Sequence, residues 1–492
     1  MTYNVVIPLA GYGTRFKKSG YKNLKPFLKV DGKNSMLDLI LNNFPNKAKK
    51  IFIVRNNLEK KYLKILQQYK NSEVLFIKPH KLGPLYTLFL ARHRLHELKN
   101  IFISYCDIHW KWNKFKLTSL SSNIVFCFKG WHPFTADNNN YAFCKNRKNK
   151  FFSIKEKESF TKSWQNEPLS IGLFFFKKGK EMINIFEKII KKKMLVNKEY
   201  FPSLAFNYLK NTRIKYVKNF CHIGKPEYYE IFKKWKKFKN IKNNFKNKIK
   251  RSKLADEILI LAAGESKRFI KEKIKTPKFL CRAGSLNLRM VMQVKNYLPS
   301  VKKINLVSYK KKQKILTDNF NLFCLQKKTD GQASSAFQII NKFSNRKSFF
   351  VNCCDNFSIF DLDKFELFKS KSDIIVFSSE NIETDSLTKD GSWIISSSNK
   401  VKKIFVKSSK VGFNKRLTGN FYFKNKEIFT KCYNAVNTKK NSNNEILIDN
   451  LAKQAIKMKY KVYTISDKIY VNMGTPKLLK EFNFWENYFD AG

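Results

Sequence analysis

The chain has 492 residues, 43% of them hydrophobic and 15% aromatic, a globular composition that excludes a disordered protein. It carries 98 Lys or Arg against 37 Asp or Glu, so the net charge of +61 is expected to attract anionic substrates and to permit peripheral contact with an anionic membrane. We expect a cytoplasmic protein without a specific nucleic-acid partner, because no apolar run approaches the ~18 residues of a membrane span, residues 1–10 lack a signal peptide's basic start, and no nucleic-acid-binding motif is present.

The chain begins with a pattern that indicates a phosphate site. The apolar run Val5–Leu9 predicts a short buried strand. A turn with Gly11 and Gly13 follows, and glycines allow backbone N–H groups to approach an anion closely. Arg15 and Lys25, ten residues apart, can add positive charge at the same place. We interpret this stretch as a polyphosphate-binding design.

Short apolar strands then alternate with amphipathic helices. The predicted strands are Ile51–Val54, Val74–Ile77 and Ile101–Tyr105, and the predicted helices are Met36–Phe44, Leu58–Tyr69 and Thr87–Leu98. This alternation is typical of a parallel sheet with covering helices. Ligands bind at the carboxyl ends of the strands in such sheets. Asp107, which follows the third of these strands, is therefore expected to face the same cleft as the Gly11 turn.

The pattern changes after Asp107. An antiparallel insert is predicted from the strands Ile124–Lys129, Tyr141–Cys144 and Phe151–Lys155, and it carries Glu156 and Lys157. The remaining predictions for this half are a strand at Ser170–Phe176 and helices at Glu181–Lys191 and Glu199–Leu209.

A basic segment joins the two halves of the chain. Residues 233–253 hold eleven Lys or Arg and no acidic residue. Their apolar residues recur at helical spacing, which predicts an amphipathic helix. Packing of this helix against the first half is one interpretation, and contact with an anionic membrane surface is another. The predicted domains are residues 1–232 and 254–492, with 233–253 as the helical linker.

The second half repeats the first at an interval of about 250 residues. The matched positions are Gly11 with Gly264, Gly83 with Gly331, Asp107 with Asp355, Gly172 with Gly419, Glu199 with Glu445, and Gly224 with Gly474. Arg268 and Lys278 are separated by ten residues, as Arg15 and Lys25 are. The elements predicted for this half are a helix at Leu288–Tyr297 and strands at Ile304–Val307, Phe349–Val351 and Ile374–Phe377. We infer a tandem duplication.

The motifs LAGYGTRF…KP and LAAGESKRF…PK, each with a later lone aspartate, resemble those of the sugar-phosphate nucleotidylyltransferases. Gly20-Tyr21 ahead of Lys25-Pro26 is most similar to the capsular-polysaccharide subgroup. The resemblance implies two tandem Rossmann-like domains of the GT-A type, each with a mostly parallel α/β sheet. It also implies synthesis of an NDP-sugar from an NTP and a sugar-1-phosphate or related phosphorylated alcohol, for capsule or lipopolysaccharide, with Mg²⁺ or Mn²⁺ as cofactor.

The resemblance also implies residue roles. Catalytic roles fall to Arg15, Lys25, Arg268 and Lys278. Nucleotide binding falls to Ala10, Gly11, Gly13, Gly83, Ala263, Gly264, Gly331 and Gln332. Sugar-phosphate binding falls to Glu156, Lys157, Gly172, Glu199, Lys407, Gly419 and Glu445. Metal binding falls to Asp107, Asp355 and, as a weaker candidate, Asn472.

Several positions depart from the family's pattern. A second metal aspartate is usual two residues before the last matched glycine, where this chain has His222 and Asn472. In the second half, Ser266 stands at the place of the second glycine and Val406 at the place of Glu156. Two alternatives therefore stay open. One is a GT-A glycosyltransferase, although neither lone aspartate belongs to a DxD motif, and the other is a nucleotide-binding protein with one or both copies degenerate.

Overall fold

A computed structural model describes residues 3–112, 120–134, 141–147, 150–300, 304–309, 318–380, 391–408, 415–438 and 445–490. The chain divides into two compact units, which we call unit 1 (Met1–Lys236) and unit 2 (Lys237–Gly492). The domain and linker limits at 232 and 254 stay a prediction. No helix in the described ranges is both long and apolar enough to cross a membrane.

Unit 1 contains strands, α-helices and short 3₁₀ helices. Its strands are β1 (Asn4–Pro8), β2 (Lys49–Arg55), β3 (Ser72–Ile77), β4 (Lys99–Ser104), β5 (Ile108–Lys111), β6 (Asn123–Phe128), β7 (Ala142–Arg147), β8 (Lys150–Glu156), β9 (Leu169–Lys178), β10 (Thr212–Tyr216) and β11 (Asn219–His222). Its α-helices are α1 (Thr14–Lys18), α2 (Met36–Leu41), α3 (Lys60–Gln67), α4 (Gly83–Leu90), α5 (Arg92–His96), α6 (Gly179–Lys191) and α7 (Pro226–Lys250), the last of which continues into unit 2. The 3₁₀ helices are Lys25–Phe27, Trp164–Asn166 and Pro202–Asn207.

Nine strands of unit 1 form one sheet in the order β3-β2-β1-β4-β9-β6-β10-β8-β7. Strands β3, β2, β1 and β4 are parallel, as predicted. Strand β9 then enters antiparallel to both β4 and β6. The sheet is therefore mixed, and the prediction of a mostly parallel sheet is wrong for its second half. The pairing of β7 with β8 accounts for part of this, because neighbouring strands separated by only two residues can pair only antiparallel.

Burial explains why β1 reads as a continuous apolar run. Val5 and Ile7 lie in one hydrophobic cluster of unit 1, while Val6 lies in another. A strand that is covered on both faces needs apolar side chains at successive positions. The carboxyl end of β1 is thereby fixed where the glycine turn begins.

Two predicted helices differ from the structure. The segment predicted as the helix Glu199–Leu209 is a 3₁₀ helix that starts only at Pro202. The residues before it bond elsewhere, since the N–H of Tyr200 donates to the carbonyl of Leu82 at 2.9 Å. The helix predicted at Thr87–Leu98 is instead split between α4 and α5 at Ala91, whose φ and ψ of −93° and 16° are not helical.

Unit 2 has the same kinds of element. Its strands are β12 (Glu257–Leu261), β13 (Arg282–Ala283), β14 (Leu288–Arg289), β15 (Ile304–Ser308), β16 (Phe320–Cys324), β17 (Phe349–Cys353), β18 (Asn356–Ile359), β19 (Ile374–Ser379), β20 (Gly391–Ser397), β21 (Lys400–Ser408), β22 (Lys415–Phe423), β23 (Val462–Ser466) and β24 (Ile469–Asn472). Its α-helices are α8 (Lys267–Lys271), α9 (Met290–Lys295), α10 (Gln332–Ile340), α11 (Leu362–Lys371), α12 (Lys426–Asn437), α13 (Ile448–Lys457) and α14 (Pro476–Asp490), and Lys278–Leu280 is a 3₁₀ helix. The helix predicted at Leu288–Tyr297 is shorter, because its first two residues form β14.

The large sheet of unit 2 repeats the order found in unit 1. Its order is β16-β15-β12-β17-β22-β19-β23-β21-β20, and β22 is antiparallel to both of its neighbours β17 and β19. Each strand of this large sheet therefore has a counterpart at the same place in the large sheet of unit 1. This correspondence allows residues of the two units to be compared by their place in the fold.

The predicted amphipathic helix lies within α7. Its apolar side chains Phe238 and Phe245 are buried in unit 2, where both rings contact Tyr297. The ammonium group of Lys242 contacts the carboxylates of Glu486 and Asp490 at 2.7 and 2.8 Å. The apolar face of this part of α7 is thus used for packing inside the protein. Contact with an anionic membrane stays a prediction from charge alone.

Candidate active site

The backbone of the glycine-bearing turn after β1 includes a left-handed residue and, at Gly11, is not covered by side chains of the described residues. Gly13 has a φ of +63°, in the left-handed region that favours glycine. In unit 2, Ser266 takes this place with a φ of +57°, and its Oγ accepts a hydrogen bond from the N–H of Lys278 at 3.1 Å. Among the described residues, apart from the two chain neighbours, no atom lies within 4 Å of the position that a Cβ would take on Gly11 or Gly264. The turn therefore has a residue in the left-handed conformation at the same place in both units, although this residue is Gly13 in unit 1 and Ser266 in unit 2.

A lysine–aspartate pair lies beside the turn in each unit. Lys25 Nζ is 2.9 Å from Asp107 Oδ2, and Lys278 Nζ is 2.6 Å from Asp355 Oδ2. Burial alone would lower the pKa of Lys25, but the charge of Asp107, the hydrogen bond that Lys25 donates to it and a contribution from Cys106 together outweigh burial, so this pKa lies above its usual value. Burial opposes ionisation of Asp107, yet Lys25 and His222 hold its pKa well below the usual range. The Lys25–Asp107 pair is thus fully charged near neutral pH.

A two-stranded ribbon brings a further side chain to Asp107. Strands β5 and β11 pair antiparallel with His222 opposite Ile108. His222 Nε2 lies 3.5 Å from Asp107 Oδ2. A Cβ on Gly224 would come within 2.3 Å of both of these atoms, so only glycine leaves the space open. At the position where the family's pattern has a second aspartate, unit 1 therefore has an imidazole next to the carboxylate of Asp107.

Unit 2 has the corresponding ribbon, formed by β18 and β24. Asn472 lies opposite Asn356, and its Oδ1 accepts a hydrogen bond from the N–H of Gly474 at 2.7 Å. A Cβ on Gly474 would lie 2.7 Å from Asp355 Oδ2 and 2.9 Å from Asn472 Oδ1. An amide oxygen thus occupies the place that the imidazole takes in unit 1.

These groups fit a divalent ion that is held mainly by substrate. No cluster of three or more His, Cys, Asp and Glu side chains suited to a metal occurs among the described residues. Mg²⁺ is commonly bound by one or two carboxylates together with substrate phosphates. In both units one carboxylate, one further side chain with a possible donor atom (His222 or Asn472) and a gap kept open by glycine match that arrangement.

The second group of unit 1 side chains surrounds Glu156. Its Oε2 accepts a hydrogen bond from Ser203 Oγ at 2.5 Å. Burial raises the pKa of Glu156 to about 7, against the opposing effects of Ser203 and Lys157. Lys157 has a φ of +59°, and its Nζ lies 4.0 Å from Glu199 Oε2 and 4.7 Å from the centre of the Phe201 ring. Two carboxylates, a lysine and an aromatic ring therefore converge.

Two glycines of unit 1 allow close approaches at this end. Gly83 has a φ of +85°, and a Cβ there would lie 2.8 Å from Glu199 Cβ. Gly172 has a φ of +82°, and a Cβ there would lie 2.6 Å from the ring of Tyr105. Both positions require glycine for conformation and for space.

All the site residues predicted for unit 1 line one cavity of about 950 Å³. They are Ala10, Gly11, Gly13, Arg15, Lys25, Gly83, Asp107, Glu156, Lys157, Gly172 and Glu199. The cavity thus joins the glycine turn and the Lys25–Asp107 pair to the group around Glu156. Its size is within the range of small-molecule sites.

The site residues predicted for unit 2 form local groups. Gly331 has a φ of +118°, and a Cβ there would lie 2.6 Å from the carbonyl oxygen of Ile446. Gln332 Nε2 is 3.7 Å from Cys353 Sγ, which lies 3.4 Å from the place of a Cβ on Gly419. Lys407, with a φ of +46°, reaches Glu445 at 3.4 Å. Arg268, in α8, has an exposed side chain, and Ala263 and Gly264 precede that helix.

Sequence reasoning missed several residues of the unit 1 cavity. Tyr105, Tyr141 and Phe201 line it, as does His80, whose ring accepts the backbone N–H of Leu82. The hydroxyl of Tyr105 is buried without a hydrogen-bond partner among the described residues. Tyr105 stands two residues before Asp107, so its place in the sequence could have indicated that it lines the site. The comparison of the two halves did not single it out, because the matching residue of unit 2 is Cys353.

Neither a protein-family model nor a curated protein matches the chain. Solved structures do. A nucleoside-diphosphate-sugar pyrophosphorylase from Vibrio cholerae has 18% identity and a TM-score of 0.39, and the match covers 46% of this chain and 98% of that one. The inositol-1-phosphate CTP transferase from T. maritima has 18% identity and a TM-score of 0.38, with coverage of 49% and 98%.

A UTP-bound UGPase from Acinetobacter baumannii has 14% identity and a TM-score of 0.39, with coverage of 51% and 100%. Each of these structures therefore corresponds to about half of this chain. At such identities and TM-scores the likeness carries no argument about substrates or residue roles.

Proposed function

We propose that the chain is an Mg²⁺-dependent nucleotidyltransferase that joins an NTP to a sugar-1-phosphate or a related phosphorylated alcohol and releases pyrophosphate. The observation that carries the proposal is the lysine–aspartate pair beside a glycine-bearing turn, which occurs in both units and in unit 1 lines a cavity of about 950 Å³. The further proposal of a tandem duplicate is supported by the repeated strand order.

In this reaction an oxygen of the acceptor phosphate attacks the α-phosphorus of the NTP. A new P–O bond forms, the bond to the β-phosphate oxygen breaks, and pyrophosphate leaves with that electron pair. No protein nucleophile is needed. The barrier comes from charge repulsion and from alignment, so positioned cations supply most of the catalysis.

The residues of unit 1 divide these tasks. Backbone N–H groups of the turn from Gly11 to Gly13, together with Arg15, bind the outer phosphates. Lys25 neutralises charge that develops at the α-phosphate. Asp107 holds Lys25 in place at 2.9 Å before substrate enters.

The other end of the cavity binds the acceptor and the base. Glu156, Lys157 and Glu199 bind the acceptor, Gly172 lines the same side, and Gly83 lies beside the base. Asp107 and His222 in unit 1, and Asp355 and Asn472 in unit 2, would hold the divalent ion. When bound, that ion would neutralise phosphate charge.

A product for capsule or lipopolysaccharide synthesis is the finer part of the proposal, and it rests on the motif resemblance alone. A second candidate is a nucleotide-binding protein without turnover. The specific observation that favours it is the pair His222 and Asn472 in place of aspartates. A GT-A glycosyltransferase is the remaining alternative.

Pyrophosphate release with a panel of NTPs and phosphorylated acceptors tests the proposal. Lys25→Ala should abolish the activity of unit 1, and Lys278→Ala that of unit 2, each by about 10²-fold or more in kcat. Lys22→Ala and Lys275→Ala are matched controls, because both are exposed lysines three residues earlier. Full turnover in both single variants and in the double variant would disprove the site, and NTP binding without pyrophosphate release would favour the second candidate.

A further inference from the structure

Each unit contains a carboxylate that is paired with a serine hydroxyl at the same place in the fold. In unit 1, Ser203 donates to Glu156, which ends strand β8. In unit 2, Ser392 donates to Asp449, the second residue of α13. The donor and acceptor have exchanged elements: the acid is on the strand in unit 1 and on the helix in unit 2.

The repeat shows that these are matching positions. Ser203 lies four residues after Glu199, and Asp449 lies four residues after Glu445. Ser203 is also the second residue of its 3₁₀ helix, as Asp449 is of α13. A serine in one unit is therefore replaced by an acid in the other.

On the strands, by contrast, an acid in unit 1 is replaced by an apolar residue in unit 2, and an alanine by a serine. Glu156 lies directly opposite Ala142 in the β7–β8 hairpin, and both line the cavity. In unit 2 the residue before the left-handed Lys407 is Val406, on β21. Ser392 is on the partner strand β20, at the place of Ala142. A carboxylate lost from β21 is thus offset by one that arrives from α13.

The surroundings of Asp449 are those of the proposed acceptor end. The carboxylate of Asp449 interacts electrostatically with Arg416 and Lys407. It also interacts with the thiol of Cys353, and that thiol interacts in turn with Asp355 and Lys278. Asp449 therefore lies near the groups that correspond to the acceptor end of unit 1.

We propose that Asp449 binds a hydroxyl of the phosphorylated acceptor in unit 2, in the place that Glu156 takes in unit 1. A carboxylate has about four lone-pair sites, and Ser392 uses one, which leaves others for ligand hydroxyls. This assignment rests on the proposed function of the site. Unit 2 consequently retains an acceptor-binding carboxylate despite Val406.

The two sites should also select different acceptors. The carboxylates start from different elements, a strand in unit 1 and a helix in unit 2, so they meet a ligand hydroxyl from different directions. Unit 2 has Cys353 at the place of Tyr105, which leaves more room under Gly419. Unit 2 should therefore accept a bulkier phosphorylated sugar or polyol than unit 1 does.

The test uses full-length Lys25→Ala protein, in which only the unit 2 site is intact. Binding of glucose 1-phosphate, inositol 1-phosphate and phosphocholine is measured by calorimetry, and KM for the acceptor and for the NTP by pyrophosphate release. Asp449→Ala should weaken acceptor binding tenfold or more and raise the acceptor KM alike, with the NTP KM within twofold. Val406→Glu combined with Asp449→Ser should restore binding to within threefold and shift preference toward the acceptor of unit 1.

A structural role for Asp449 predicts a different result. Glu427→Ala is the matched control, because Glu427 is an exposed acid in the first turn of the neighbouring helix α12. If both variants lower the Tm equally and neither changes acceptor affinity, Asp449 only stabilises a helix end and the proposal is overturned.

Failure of the function and failure of this assignment are distinguishable. Acceptor binding that depends on Asp449, with no pyrophosphate release by the Lys25→Ala variant or by the parent chain, overturns the proposed function and leaves the assignment standing. Pyrophosphate release with an acceptor KM that does not change in Asp449→Ala overturns the assignment and leaves the proposed function standing. Absence of binding by every probe overturns both.

Discussion

In unit 1 the acid that faces the acceptor end is Glu156 on a strand, whereas in unit 2 the equivalent acid is Asp449 on a helix. Around the proposed phosphate end the two units differ far less. The lysine–aspartate pair, the left-handed turn residue and the glycine beside the aspartate are present in both. The comparison indicates that backbone shape and the fixed ion pair are kept, while the side chains at the proposed acceptor end differ.

The largest expected effect concerns how α7 is anchored in unit 2. Lys242 is 4% exposed and bonds to Glu486, which is 5% exposed. Lys242→Met leaves a buried carboxylate without its partner, which should cost about 3 kcal/mol or more. Chemical unfolding followed by two probes, one in each unit, should show the loss in unit 2 alone. Lys239→Met, at a more exposed ion pair with Asp490, is the control and should cost under about 1 kcal/mol.

The next effect separates the two sites through their glycines. A Cβ at Gly224 would be 2.3 Å from Asp107 Oδ2 and His222 Nε2, while at Gly474 the nearest atom is 2.7 Å away. These atoms are side-chain ends that can move, so Gly224→Ala should leave the Tm nearly unchanged and displace the site. We expect a loss of about 10²-fold in the activity of unit 1, and a smaller loss in unit 2 for Gly474→Ala. Equal activity in the parent and Gly224→Ala would show that the ribbon does not form part of the site.

Much of the fold was predictable from the sequence, and so were nearly all of the charged residues that line the unit 1 cavity. Strands such as β1 were predictable because their apolar runs reflect burial on both faces. The strand β9 was also found, but its antiparallel direction depends on a long-range pairing with β4 that no local pattern encodes.

The pair Ser392 and Asp449 was missed for a related reason. Each residue alone is an ordinary strand serine or helix N-terminal acid. Only the strand register and the hydrogen bond between them show that this pair corresponds to the Ser203–Glu156 pair, with Asp449 at the place of Ser203 and Ser392 at the place of Ala142. The sequence alone shows only that Val406 lacks a carboxylate, and the structure shows a carboxylate of α13 bonded to the neighbouring strand.

A smaller effect concerns the protonation of Glu156. Its pKa is raised from 4.5 to about 7, chiefly by burial, so the folded state favours the protonated form. The resulting stability is fully present below the unfolded pKa and is lost as the pH rises through about 7. Glu156→Gln should therefore stabilise unit 1 at pH 8 by on the order of 1–2 kcal/mol. At pH 5 the difference should be much smaller, and a gain that is equal at both values would rule out this titration.

The smallest expected effect concerns the divalent ion. Asp107 is accompanied by an imidazole and Asp355 by an amide, and Mg²⁺ prefers oxygen donors. His222→Asp should raise the affinity of unit 1 for Mg²⁺ in the presence of NTP by about tenfold, or ~1.4 kcal/mol, by adding a second carboxylate. Competition of Mg²⁺ against Mn²⁺, followed by the EPR signal of free Mn²⁺, measures this without turnover. His222→Asn would give unit 1 the donor set of unit 2, so its Mg²⁺ affinity should approach that of unit 2. If neither variant changes the affinity, the residue beside the aspartate does not contact the ion, and the difference between the units lies only at the acceptor end.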